Sequence, residues 1–193
     1  MALMVVILFA LLLLAGAVAA YGVALYNALV GVKHQVDQSW ANIDVLLKQR
    51  HDELPKLVET CRQYMRYEQA TLEKVMQARA AVARAQQAGD IGALGVAEGQ
   101  LRLGLGNLFA VAEAYPELRA NETFQHLQTR ITGLENTIAD RREFYNDSVN
   151  RNNVRIEQFP EVIVARAFDF RPRKLLQFTA AEKRDVDIRQ LFG

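Results

Sequence analysis

The side chains in this chain best suited to metal binding or nucleophilic attack are His34, His51, His126, Cys61, Ser39 and Ser148. A di-iron site in a helical bundle needs a Glu-x-x-His pair from each of two helices and two further glutamates. None of the three histidines stands three residues after a glutamate; Glu122 and His126 are four apart. A hydrolase needs a nucleophile beside an oriented base, and neither serine has that context. Cys61 falls on an apolar helical face, where cysteine is more often a core residue than a nucleophile. The glycines between Gly89 and Gly106 fit neither phosphate-cradling fingerprint. Glu73, Arg79, Asp140, Arg141 and Arg142 read as polar residues on long helices, most of them solvated or paired along the helix; the alternative for some is burial between helices, where a paired charge must be hydrogen-bonded. No catalytic, cofactor-binding or metal-ligating residue is assigned, and the chain is read as a non-enzyme that takes no cofactor.

The elements that would position any site are helical. Helix formers are abundant and there are only four prolines in 193 residues. A net charge of +1 argues against a nucleic-acid partner. One cysteine allows no intramolecular disulfide. Residues 2–32 carry no charged side chain, and Met4 to Leu25 is almost wholly apolar. Roughly 20 such residues cross a bilayer core, and Tyr21 and Tyr26 fall near the end of the run, where aromatic rings favour the interface. A cleaved signal peptide is the competing reading; the missing basic segment before the run and its length favour a retained anchor. Lys33, Lys48 and Arg50 follow the run, so the positive-inside rule places the N-terminus outside and the C-terminal domain in the cytoplasm.

Beyond the anchor, Val32, Val36, Trp40, Ile43 and Leu47 repeat at helical spacing, with Trp40 read as a core residue. Asp52 and Pro55 suggest a cap and a first helical turn, hence a tight turn between two helices; a kinked continuous helix is the alternative. The next helix ends near Gly89-Asp90. A glycine-rich third helix keeps Leu94, Leu101, Leu105 and Leu108 in register. Gly95 and Gly99, four apart, are helix-contact candidates, either within the bundle or between molecules. Past Tyr115-Pro116 a fourth helix buries Phe124, Leu127, Ile131, Leu134, Ile138 and Tyr145. It is longer than the third, and its surplus would carry its end back to the level of the anchor. There Phe159, Ile163, Phe168 and Phe170 stand among Arg166, Arg171, Arg173 and Lys174. Apolar residues with basic neighbours read as a membrane-interface segment, or else as a cap on the open end of the bundle.

Five ordered blocks, YNALV, QSWANIDVLLKQRHDELPKLVE, LEKVMQAR, NLFAVAEAYPELRANETFQHLQTRI and RREFYNDSVNRNNVRIEQFP, resemble the LemA family. The resemblance spans about Tyr26 to Phe170. It implies an N-terminal transmembrane helix continuing into an up-and-down antiparallel four-helix bundle, with no established enzymatic activity and no known ligand. Two departures stand out: the number of glycines from Gly92 to Gly106, and Asp169, where many relatives have Gly. The organisation expected is an anchor over 1–26, an all-α bundle over 27–158, a short amphipathic segment over 159–176 and a mobile polar tail over 177–193, in which Leu191-Phe192 could dock. The function expected is that of a single-pass scaffold or assembly factor at the cytoplasmic membrane. It would contact membrane lipid, associate with copies of itself and engage a membrane or cytoplasmic protein. The alternative is an envelope or stress-linked sensor passing a signal to a partner.

Overall fold

The computed structural model describes residues 1–177. Leu191-Phe192 and all of the expected tail except Gln177 lie outside the described residues. Within them the chain is all helical: α1 (Ala2–Tyr64), α2 (Gln69–Gln87), α3 (Ile91–Ala112), the single turn α4 (Pro116–Arg119), α5 (Glu122–Glu157) and the short α6 (Glu161–Ala167).

α1 runs through the expected turn at Asp52–Pro55 without a break, 63 residues in all. Its buried residues show why. Val36, Ser39, Ile43, Leu47, Arg50, Leu54, Leu57 and Cys61 follow one another in steps of three and four, and Met65 just past its end continues the series, a single stripe that keeps phase across the proline. Pro55 has no N–H, so the His51 carbonyl one turn earlier loses its helical partner. Arg79 on α2 supplies the substitute: its Nε donates to the His51 carbonyl oxygen at 2.9 Å. The stripe passes through Ser39, which leaves Trp40 on its flank. Trp40 is half-buried rather than in the core, with its ring centroid 5.5 Å from that of Tyr145.

The first interhelical turn falls instead at residues 65–68, beginning with fully buried Met65. Gly89, at φ 64°, and Asp90 make the second turn where the sequence marks it. The Asp90 carboxylate accepts from the backbone N–H groups of Gly92 and Ala93, capping α3. Pro116 opens α4, and Asn121 caps α5 by accepting from Phe124 N–H at 3.0 Å.

The described chain forms two compact units, one of residues 1–39 and 147–173, the other of 40–146 with the chain from Lys174. In the first, Leu29, Ile156 and Ala165 form a core against which Val164 and Phe170 pack. α1 begins there with a run of exposed apolar side chains from Leu3 to Val23. Among the described residues it is the one helix long and apolar enough to cross a membrane. The second unit buries the expected leucines of α3 and the Phe124-to-Tyr145 stripe of α5 against the later part of α1 and Leu72, Val75 and Val82 of α2. Gly104 of α3 faces Val75 of α2, where a Cβ would make an ordinary contact at 3.6 Å from Val75 Cγ2.

Candidate membrane-interface site

The exposed apolar run of α1 is followed directly by Tyr26, and the chain after α6 returns to that residue. The rings of Phe168 and Phe170 lie 4.8 and 5.8 Å from the Tyr26 ring, tilted and edge-on. Phe170 is half-buried against the core of the unit, whereas Phe168 is exposed. Between them Asp169 takes φ 55°, the left-handed region that Gly adopts freely and Asp tolerates. Two residues on, Arg171 donates from Nε and an η nitrogen to the Asp169 carboxylate at 3.0 Å each. That fork holds the Asp169 carboxyl below its usual range, through the hydrogen bonds first and the charge second, and raises Arg171 for the same reasons.

An extended stretch follows and is fastened to α5. In the first unit the Asn153 side chain accepts from Arg173 N–H at 2.8 Å and donates to its carbonyl at 2.9 Å. In the second unit Asn146 does the same for Leu176, at 2.8 and 3.0 Å, and the Tyr145 hydroxyl donates to the Lys174 carbonyl. Each amide thus satisfies a backbone N–H and C=O as a neighbouring strand would.

Within the first unit an open cavity of about 580 Å³ lies beside Tyr26. Tyr26, Val30, Lys33 and His34 of α1 form one wall, Asn152 of α5 contributes a second, and residues 168–173 close it. Three cations line it, Lys33, Arg171 and Arg173, against one carboxylate, Asp169. Arg173 also reaches Asp37 at 3.2 Å. Lys33 makes no ion pair among the described residues.

The structure brings together five of the interface residues singled out from the sequence: Tyr26, Phe168, Phe170, Arg171 and Arg173. Tyr21 is exposed on the apolar run of α1, and Phe159, Ile163 and Arg166 are exposed on and beside α6. Lys174 is exposed and belongs with the other unit. Sequence reasoning missed Lys33, His34 and Asn152 as lining residues, although Lys33 lies two helical turns from Tyr26 on the same side of α1.

Of the helix-contact candidates, Gly95 is buried where a Cβ would collide with the Gln177 carbonyl oxygen, and Gly99 is buried on the same helix. The second unit also holds a polar centre that was missed. Arg50, 1% exposed, donates to Glu98 of α3 and to Glu135 of α5. Burial alone would pull its pKa down; the two carboxylates and their hydrogen bonds outweigh that and raise it. Removing one partner of such a buried pair costs about 3–5 kcal/mol. Next to it, an Arg79 η nitrogen lies 2.6 Å from His51 Nε2. Burial first and the Arg79 charge second hold His51 below its ordinary pKa. Cys61 is fully buried, and burial pushes its thiol up to about 12. Ser39 and Ser148 come together, Oγ to Oγ 3.1 Å, but buried, with Ser39 donating to the Gln35 carbonyl. Among the described residues no three His, Cys, Asp or Glu side chains converge to hold a metal ion.

The family model of the LemA family matches residues 39–189. Magnetosome protein MamQ 1 and magnetosome protein MamQ 2 of Paramagnetospirillum magneticum are each 35% identical over 107 residues, 54% of this chain and 39% of theirs. Magnetosome protein MamQ of Magnetospirillum gryphiswaldense is 25% identical over 158 residues, 70% of this chain and 58% of its own length. The chain therefore spans less than two thirds of the length of these curated relatives.

Proposed function

This chain belongs to the LemA family, and on that premise we propose that it is a membrane-anchored, non-enzymatic scaffold or assembly protein whose work is done by helical surfaces. One observation carries the reading: a single unbroken helix, α1, bears an exposed apolar run at one end and buried core positions along the rest. A helix that carries both features joins a bilayer-crossing segment to a folded domain in one continuous chain. We take the later part of α1 with α2, α3 and α5 as an up-and-down four-helix bundle. The Arg50 contacts to α3 and α5 and the Arg79 contact from α2 to α1 support it. Lys33 and Lys48 favour the cytoplasmic side for that bundle. The relatives carry the name of a structure, the magnetosome, and not of a reaction, in keeping with an architectural role.

Tethering by one helix confines copies to a plane, where weak lateral contacts gain from effective concentration, so the scaffold acts as a homo-oligomer. Gly95 lies against the Gln177 backbone and Gly99 is buried, which leaves the exposed helix faces to make those contacts. Crosslinking in intact membranes, followed by identification of what is attached, tests this. Chain-to-chain products are expected. Monomers at every protein density tried, with no attached partner, would overturn it.

A further inference from the structure

We propose that the cavity beside Tyr26 binds the phosphate-bearing headgroup of an anionic phospholipid, an inference that rests on the membrane-anchored reading above. Its lining is ordered as such a lipid is. The rings of Tyr26 and Phe168 stand at the end nearest the apolar run, and Lys33 stands seven residues further along α1. Seven helical residues rise about 10 Å, while the headgroup layer on each side of a bilayer core is about 5–8 Å deep. The cavity therefore spans that layer when the apolar run occupies the hydrocarbon. Its volume of about 580 Å³ suits a small ligand. Lys33 brings a cation with no ion pair among the described residues. Arg171 and Arg173 bring guanidinium forks, which match phosphate geometry. Their present partners, Asp169 and Asp37, are exposed, and exposed pairs are weak enough to exchange. A free phosphate would find the same cations, but the aromatic end and its continuity with the apolar run favour an amphiphile.

The test uses the full chain in a nonionic detergent, offered equal amounts of phosphatidylglycerol and phosphatidylcholine, with retained lipid counted by native mass spectrometry. One phosphatidylglycerol per chain should be held in preference to phosphatidylcholine. Lys33→Gln should lower that preference about five-fold. Asp169→Asn should raise it, because Asn accepts the same left-handed backbone and removes the competing carboxylate. Equal retention of the two lipids, or a preference that neither substitution moves, overturns the proposal. Displacement of phosphatidylglycerol by millimolar inorganic phosphate would assign the cations to phosphate itself and reject the lipid. Flotation with pure phosphatidylcholine vesicles separates the two readings. A chain that floats without lipid preference rejects the headgroup site alone, and a chain that does not float rejects the anchor.

Discussion

Replacing Arg79 with Ala leaves the His51 carbonyl without a donor, because Pro55, the residue that would have supplied the helical N–H, has none. The bond lost is Arg79 Nε to the His51 carbonyl at 2.9 Å. An unsatisfied buried acceptor costs about 1–3 kcal/mol. His51 is half-buried, so water recovers part of that, and the expected loss is about 1–2 kcal/mol. For a chain of this size each kcal/mol moves Tm by about 2–4 °C, which thermal unfolding of the full chain in detergent, followed by circular dichroism, resolves. The decisive variant is Pro55→Ala, which returns an N–H to the carbonyl. In that background Arg79→Ala should cost about 1 kcal/mol less than in the native chain. The remainder reflects the contact between Arg79 and the His51 ring. An equal cost in both backgrounds would refute the claim that Arg79 compensates for the proline.

Two further predictions use the same assay. His51 is held below its ordinary value of 6.5, so above that pH it is neutral folded or unfolded. As the pH falls through 6.5, the unfolded chain takes up a proton that the folded chain resists, and stability declines. His51→Gln, which can still accept from Arg79, should flatten this decline, and an unchanged pH profile would mean that another group causes it. Gly95→Ala should destabilise by about 1–3 kcal/mol, because its Cβ meets the backbone carbonyl of Gln177. Gly133→Ala, in the open on α5, should stabilise by about 0.5–1 kcal/mol; equal gains at the two positions would mean that the Gln177 contact is not held.

The parts of the fold legible in the sequence are those set by local chemistry. The uncharged run to Val32, the positive-φ Gly89 with its Asp90 cap, and Pro116 each act on their own neighbours. The misread turn at Asp52–Pro55 depends on Arg79, a donor from a different helix that no local pattern reveals. The stripe of α1 was also obscured, because two of its buried positions are Ser39 and Arg50. Read as core positions, they would have shown that the helix keeps phase past the proline and that Trp40 lies on its flank. The true break after Tyr64 has no glycine, proline or side-chain cap to announce it. At the candidate site, the aromatic and basic residues were legible as chemistry. Their shared cavity was not, since Lys33, His34 and Asn152 join it only through folding. The polar run at the end of α5 likewise takes its role from the fold, where Asn146 and Asn153 hold the backbone of Leu176 and Arg173.

Protease accessibility bears most directly on the claim that α1 is a retained anchor holding the helical domain at the cytoplasmic face. Protease added to spheroplasts should leave that domain intact, protease added to inverted vesicles should remove it, and the mass of the membrane-bound chain should include the apolar run from Met4. Digestion of the domain in intact spheroplasts, or a mature chain beginning near Ala20, would contradict the account.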